Sequence, residues 1–360
     1  MAKILMKGNE AIGKAAMEAG CKYFFGYPIT PQNELPEYMS RELPKNGGAF
    51  VQAESEVSAI NMVYGAAGAG ARVMTSSSSP GIALKQEGIT YAAGAELPCV
   101  VVNIMRGGPG LGGIQPSQSD YFMSTRGGGN GDYRTPVYAP ATVQEAVDMV
   151  MEAFEVADFY RTPVMVVGDG MIGQMMEPVE FNKPKTRELA PKTWASVGTK
   201  MERKPNIINS LYLDPKSLED HCINLDAKYK EIEKNETAYE MYKTEDAEIV
   251  FVAYGTTSRI VKNTIESLRE EGIKAGLIRP KTLWPFPFEA FNQIPEAKNL
   301  LTVEMSTGQM VEDVRLAIEG RLPVHFYGRT GGMIPSPAEI AAKAKEIVEQ
   351  SQQVAMGGAR

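Results

Sequence analysis

Two glutamates, Glu54 and Glu56, lie between an apolar segment and a run of small residues in "AFVQAESEVSAINMVYGAAGAGA". A glutamate in the first turn of a helix commonly complements the helix dipole, and this structural role is one interpretation. Because the neighbouring residues are apolar or small, a carboxyl group here could also be desolvated enough to share a proton with a ligand nitrogen. The residues alone leave both interpretations open.

The segment "FFGYPITPQNELPEY" places a hydroxyl group on a rigid loop. Pro28 and Pro31 restrict the backbone and bias Tyr27 and Thr30 away from the helical conformation. A hydroxyl held in this way at the end of a strand suits contact with a ligand. In the structural alternative, Thr30 caps the helix that follows.

Arg106 ends the apolar segment "PCVVVNIM" and opens the glycine-rich loop "GGPGLGG". A guanidinium group can grip a carboxylate through two parallel hydrogen bonds, so an arginine at the end of a strand suits a substrate carboxylate. The structural alternative is a surface salt bridge beside a mobile loop.

The elements that position these residues alternate between short β-rich segments and helical patterns. Near-continuous apolar strands joined by helices are typical of a parallel sheet that is covered on both faces. Loops at the carboxyl ends of such strands carry ligand sites. We expect strands at 23–28, 49–53, 72–77, 98–106, 136–140 and 163–169, with helices that include 9–19, 55–69 and 142–160.

The alternation divides the chain into parts. We predict a first domain over residues 1–180 and a second, smaller α/β domain over residues 247–348. Residues 181–246 are rich in proline and lysine and then in charge, which indicates a long connection with one helix. Residues 349–360 are expected to form a flexible tail.

Composition excludes several classes of protein. The 360 residues are 43% apolar and 22% charged, as in a globular chain, and no apolar run is long enough to span a membrane. The net charge of −7 without a basic cluster argues against nucleic acid. Three scattered cysteines exclude an iron–sulfur or structural zinc site built by this chain alone, and they suggest a reducing, cytoplasmic setting. The glycine runs lack the strand-linked G-x-G-x-x-G spacing of a nicotinamide site.

Three segments in order, "GYPITP", "ESEVSAINMVYGAAGAGARVMTSSSSPG" and "RGGPGLGG…QSD", resemble the α subunit of 2-oxoacid:ferredoxin oxidoreductases. The resemblance covers both predicted domains. It implies an α/β fold with a parallel-sheet domain of the thiamine diphosphate pyrimidine-binding type, followed by a smaller transketolase C-terminal-like α/β domain. The implied activity is the coenzyme A-dependent oxidative decarboxylation of a 2-oxo acid, with the electrons passed to ferredoxin.

The resemblance also implies roles for individual residues. Glu56 aligns with the glutamate that hydrogen-bonds the ring nitrogen N1′ of the cofactor's aminopyrimidine, and Glu54 is the weaker candidate. A proton shared at this nitrogen helps the cofactor's amino group to deprotonate its reactive carbon. The remaining roles are contact with the cofactor for Tyr27 and Pro28, and contact with the substrate and its carboxylate for Thr30 and Arg106.

Partner subunits are implied as well. The segment "VVGDG" resembles the start of the motif that binds Mg²⁺ and diphosphate in thiamine enzymes, but no paired asparagines follow in "TWASVGTKMERKP". We therefore expect thiamine diphosphate to be shared with a β subunit that holds its diphosphate and Mg²⁺. A γ subunit and a ferredoxin-like subunit that carries iron–sulfur clusters complete the expected complex, with no metal on this chain and no membrane or nucleic-acid partner.

The substrate side chain is less defined. Overall resemblance favours a branched-chain 2-oxo acid, 3-methyl-2-oxobutanoate. The loop after Arg106, however, has Gly110, Leu111 and Gly112 where the family often has serine, threonine and glycine. The alternatives are 2-oxoglutarate or pyruvate as substrate, or a structural subunit without catalytic activity.

Overall fold

Strands and helices alternate along most of the chain, for which a computed structural model describes residues 3–182 and 187–357, with side chains in its helices and strands as far as residue 353. The strands are β1 (Ile4–Lys7), β2 (Tyr23–Gly26), β3 (Ala49–Gln52), β4 (Val73–Ser77), β5 (Cys99–Met105), β6 (Val137–Tyr138), β7 (Pro163–Asp169), β8 (Met176–Val179), β9 (Tyr239–Tyr242), β10 (Ile249–Val252), β11 (Ala275–Pro280), β12 (Thr282–Trp284), β13 (Asn299–Glu304) and β14 (Val324–Gly328). The helices are α1 (Gly8–Glu18), α2 (Glu34–Glu42), α3 (Glu56–Gly68), α4 (Ser79–Gly94), α5 (Tyr121–Thr125), α6 (Val143–Tyr160), α7 (Gly170–Gln174), α8 (Pro215–Glu236), α9 (Gly255–Glu270), α10 (Met310–Ile318) and α11 (Pro337–Gly357).

The larger sheet has the strand order β12-β6-β7-β5-β4-β2-β3 and is parallel except at β12. Its central strands β4, β5 and β7 are buried along their whole length, as their apolar sequences require in a sheet covered on both faces. Helices α1, α2 and α6 pack together, and α3 packs against α4. This architecture confirms the α/β fold class expected from the sequence.

The smaller sheet has the order β14-β13-β10-β11-β9, with β9 antiparallel to β11. Helices α9 and α11 pack against each other beside it. Two strands cross the expected division of the chain, because β9 comes from the segment 181–246 and β12 leaves the second domain to pair with β6. Both are short edge strands, and the bounds of the domains stay a prediction.

Helix α8 lies within the segment 181–246 and is the one helix that this segment was expected to contain. The tail expected from residue 349 is helical as far as Gly357, because no proline or glycine interrupts α11 before that residue. Ser351 of this helix hydrogen-bonds Asn299 at 2.9 Å. No helix among the described residues is both long and apolar enough to cross a membrane.

One buried glutamine, Gln118, ties the two sheets together. Its Nε2 donates to the carbonyl of Tyr254 at 2.9 Å, and its Oε1 accepts from the hydroxyl of Thr257 and the backbone N–H of Met305. Its own backbone N–H donates to the carbonyl of Met305 at 2.9 Å. Since all these groups are buried, the loop that follows Arg106 is held rigidly against the second sheet.

Replacing Gln118 with leucine should lower the free energy of unfolding by about 3 kcal/mol, because the buried Tyr254 carbonyl, Thr257 hydroxyl and Met305 N–H lose their partner. Chemical denaturation of the full chain measures the change. A matched control is Gln352→Leu on the exposed surface of α11, which should shift stability by less than about 0.5 kcal/mol. Equal stabilities of the two variants would contradict the proposed link.

Candidate active site

The candidate residues gather at one edge of the larger sheet. Neighbouring parallel strands β5, β4, β2 and β3 all end there, and each is followed by one of the segments singled out in the sequence. The carboxyl ends of parallel strands are the usual place of a ligand site. The sheet therefore brings Thr30, Glu56 and Arg106 to the same edge.

The two glutamates face different surroundings. Glu56 is the first residue of α3 and is only 7% exposed. Glu54 is exposed, and the Ser58 hydroxyl donates to its Oε1 at 2.6 Å, which lowers the pKa of Glu54. Ser55 caps the helix by accepting from the backbone N–H of Ser58 at 3.2 Å. The capping role belongs to Ser55, so the buried carboxyl of Glu56 is not needed for it.

A glycine makes room beside the Glu56 carboxyl. A Cβ atom added at Gly81, in the first turn of α4, would lie 2.5 Å from Glu56 Oε1 and 2.0 Å from Ser77 Oγ. The Ser77 hydroxyl is buried and has no hydrogen-bond partner among the described residues. A buried carboxyl beside an unsatisfied hydroxyl fits the polar atoms of an aminopyrimidine ring, since such groups are normally paired.

A buried lysine lies on the same helix. Lys85 of α4 has no exposed surface, and its Nζ donates to the hydroxyl of Thr75 at 3.1 Å. Burial lowers the pKa of Lys85 to about 8, while the negative charge of Glu56 acts in the opposite direction. The site thus contains a buried cation as well as a buried acid.

Arg106 joins two of the loops. Its Nη1 donates to the carbonyl of Thr30 at 2.9 Å and its Nη2 to the carbonyl of Leu111 at 3.0 Å. The side chain of Thr30 accepts from Asn33 at 3.4 Å, so its hydroxyl keeps a proton to donate. The guanidinium therefore orders the proline-rich loop and the glycine-rich loop together.

The charge of Arg106 has no counter-ion among the described residues, and its Nε is buried without a hydrogen-bond partner. A guanidinium group has five N–H donors, and carbonyl oxygens occupy two of them here. A buried cation without a counter-ion is costly unless an anion arrives to pair with it. The remaining N–H groups of Arg106 can donate hydrogen bonds to such an anion.

A second polar cluster fixes the start of α4. Ser79 Oγ donates to Asp120 at 2.5 Å and accepts from the backbone N–H of Arg106 at 3.0 Å. The side-chain amide of Asn103 donates to Asp120 at 2.9 Å through its Nδ2. Its Oδ1 accepts from the backbone N–H of Ser79. Burial raises the pKa of Asp120, against the effect of these hydrogen bonds. The cluster sets the positions of Gly81 and Arg106 relative to each other.

The other expected residues lie at the margin of the site. Tyr27 and Pro28 follow β2 and are exposed. Gln32 links their loop to β4, because it donates to the carbonyl of Tyr27 and accepts from the hydroxyl of Ser76 at 2.6 Å. Asp169 caps α7 and accepts a hydrogen bond from the Thr256 hydroxyl of α9, which is a structural role.

A cavity of about 640 Å³ lies away from this edge, between α8, α10 and the segment around Trp284, and none of the expected site residues lines it.

Sequence patterns did not single out Ser77, Gly81, Gln118 or Lys85. The spacing of Gly81, Lys85 and Gly88 places all three on one face of a helix, and that face could have been recognised as the buried one. Gln118 carried no such signal because its partners Tyr254, Thr257 and Met305 are distant in sequence, and nothing in the local pattern marks Ser77.

An α/β chain with two large sheets, a small antiparallel pair of β1 and β8, and buried acidic and basic groups at one edge of the larger sheet has the character of an enzyme subunit. Residues 14–249 match the family model "Pyruvate flavodoxin/ferredoxin oxidoreductase, thiamine diP-bdg", and residues 247–340 match "Pyruvate:ferredoxin oxidoreductase core domain II". The chain belongs to the 2-oxoacid:ferredoxin oxidoreductase family, as the sequence motifs indicated.

Several relatives are similar over nearly their whole length. The ketoisovalerate oxidoreductase subunit VorB of Methanothermobacter marburgensis is 49% identical over 98% of this chain and 99% of its own. The 2-oxoglutarate synthase subunit KorA of Methanocaldococcus jannaschii is 37% identical over 93% and 97%. The pyruvate synthase subunit PorA of Pyrococcus horikoshii is 32% identical over 88% and 82%.

Solved structures show the same fold. The 2-oxoglutarate:ferredoxin oxidoreductase from Magnetococcus marinus, with 2-oxoglutarate, coenzyme A and succinyl-CoA bound, superposes with a TM-score of 0.87 at 28% identity. The match covers 96% of this chain and 65% of that longer chain. A split-gene transketolase, described as an inactive β4 tetramer, matches with a TM-score of 0.59 at 14% identity, which shows the fold alone.

Replacing Gly81 with alanine should push the Glu56 carboxyl and the Ser77 hydroxyl aside and lower the free energy of unfolding by about 1–3 kcal/mol. The matched control is Gly65→Ala on the exposed side of α3, where nothing lies within 4 Å of the added Cβ. This control should keep or raise stability by up to about 1 kcal/mol. Denaturant unfolding of both variants makes the comparison, and equal stability would contradict the close contact.

Proposed function

We propose that this chain provides the acid that activates thiamine diphosphate in a 2-oxoacid:ferredoxin oxidoreductase complex. The observation that carries the proposal is the buried Glu56 carboxyl at the carboxyl edge of the sheet, beside the unsatisfied Ser77 hydroxyl. The family match over residues 14–249 supports the identity of the cofactor.

The cofactor, when bound, supplies the carbon nucleophile that attacks the 2-oxo group of the substrate. Glu56 would share a proton with N1′ of the aminopyrimidine, and the apolar and small residues around it keep water away from this hydrogen bond. Gly81 lets α4 pack directly against the carboxyl, since an added Cβ would lie 2.5 Å from Glu56 Oε1. Tyr27 and Pro28, on the exposed loop after β2, would border the cofactor on its outer side.

Arg106 and Thr30 would hold the substrate. The unused N–H groups of Arg106 suit the carboxylate of a 2-oxo acid, and its link to the Thr30 carbonyl places the Thr30 hydroxyl next to the same ligand. Because two carbonyl oxygens already fix the guanidinium, it is preorganised for this role.

The rest of the reaction requires partners. Relatives of this chain are named as subunits, which supports an assembly of several chains. We infer a β subunit that binds the diphosphate and Mg²⁺, a γ subunit, and a ferredoxin-like subunit whose iron–sulfur clusters carry electrons to ferredoxin. Coenzyme A would accept the acyl group. We infer a cytoplasmic location for this complex.

Among the possible substrates we favour 3-methyl-2-oxobutanoate. The subunit VorB named above for ketoisovalerate is 49% identical, whereas the subunits KorA and PorA named above for 2-oxoglutarate and pyruvate are 37% and 32% identical.

Glu56→Gln in the assembled complex should lower the rate of 2-oxo acid decarboxylation by about 100-fold or more, because the amide cannot exchange the proton. Hydrogen exchange at the reactive carbon of the cofactor should slow in parallel. The matched control is Glu54→Gln, which should retain most of the activity because Glu54 is exposed.

If Glu54→Gln is the inactive variant instead, the role assigned to Glu56 belongs to Glu54. Full activity of both variants, with the complex assembled and loaded, would instead identify this chain as a structural subunit.

Arg106→Met should reduce kcat/KM for the 2-oxo acid by about 10- to 100-fold through loss of charge-assisted hydrogen bonds to the carboxylate. The corresponding aldehyde lacks that carboxylate, so its conversion by the same variant serves as the control for general damage to the loops. An equal loss for acid and aldehyde would assign Arg106 a structural role only.

A further inference from the structure

Lys85 is a buried cation that the proposed chemistry does not use. Its side chain has no exposed surface, and the one hydrogen bond of its amine goes to the neutral hydroxyl of Thr75 on β4. Buried lysines normally face a carboxylate, because an uncompensated ammonium group is costly in the interior.

The packing of α3 against α4 shows which carboxylate this is. A Cβ added at Gly81 would meet Glu56, and one added at Gly88 would lie 2.5 Å from the side chain of Ile60. Glu56 and Ile60 are one turn apart on α3, while Gly81, Lys85 and Gly88 share one face of α4. Lys85 therefore projects from the face of α4 that presses against the Glu56 side of α3.

The strand below completes this arrangement. Thr75 and Ser77 are two residues apart on β4, so both point to the same face of the sheet. Thr75 holds the amine of Lys85, and Ser77 lies beside Gly81 next to the Glu56 carboxyl. Among the described residues, Glu56 is the charged group that acts on the Lys85 amine, although no direct ion pair joins them.

We propose that Lys85 is a positioning residue whose buried ammonium group is the counter-ion of the Glu56 carboxylate. In a desolvated site, opposite charges act on each other over more than a contact distance. Lys85 thereby stabilises the charged acid and fixes its orientation. Its consequence for the cofactor rests on the function proposed above for Glu56, whereas the pairing itself does not.

The pairing has a defined pH dependence. Burial brings the pKa of Lys85 to about 8, so the ammonium is present at neutral pH and is lost as the pH rises through that value. The pairing with Glu56 should disappear over the same range.

A double-mutant cycle on the cofactor-free full chain tests the pairing. Lys85→Met, Glu56→Gln and the double variant are compared by their unfolding midpoints at pH 7 and at about pH 9.5. At pH 7, Lys85→Met should lower the midpoint by about 2–4 °C more when Glu56 is present than in the Glu56→Gln background. At about pH 9.5 this difference should vanish.

Lys228→Met is the control, because Lys228 is partly buried and is paired with Glu96 at 2.9 Å. It should show no coupling to Glu56→Gln. Absence of coupling between Lys85 and Glu56 at pH 7, or coupling that persists at about pH 9.5, would overturn the proposal.

In the loaded complex, activity should decline at alkaline pH as Lys85 loses its proton, and this decline should be absent from Lys85→Met. If Lys85 had a purely structural role, the pH profile of the variant would not change. Coupling in the cycle together with an active Glu56→Gln complex would refute the proposed function and leave the pairing intact. An inactive Glu56→Gln complex without coupling in the cycle would refute the pairing and leave the proposed function intact.

Discussion

The close approach of α3 to α4 is the constraint on which the site depends. Glycines at positions 81 and 88 allow the two helices to touch where any larger residue would collide with Glu56 or Ile60. This contact buries the Glu56 carboxyl at a helix start, where a glutamate would otherwise lie in solvent. It also encloses Lys85, so the two charges share one desolvated volume.

The remaining elements keep that contact in register with the substrate side of the site. The hydrogen bonds of Asp120 with Ser79 and Asn103 attach the start of α4 to the end of β5, from which Arg106 projects. Gln118, two residues before Asp120, attaches the same loop to the second sheet. A displacement of the second sheet would therefore reach Arg106 through a chain of buried hydrogen bonds.

Local patterns in the sequence were enough to predict the parallel sheet, because apolar strands and amphipathic helices follow short-range rules. They also predicted that Thr30, Glu56 and Arg106 follow the carboxyl ends of strands. They could not separate Glu56 from Glu54, since the difference lies in burial by α4. Lys85 was missed because a lysine on a helix is normally exposed, and β12 was missed because its partner strand β6 is distant in sequence.

Polar groups without partners at the sheet edge indicate how ligand binding and stability are linked. Ser77 Oγ and Arg106 Nε are buried without hydrogen bonds among the described residues, and each such group costs about 1–3 kcal/mol. Well-packed apolar side chains at these positions would avoid that cost but would give a ligand nothing to bind. Because a ligand that pairs with these groups removes the cost only in the folded chain, binding and folding must stabilise each other. The fully buried central strands β4, β5 and β7 offset this local loss, so a polar edge can coexist with a tightly packed fold.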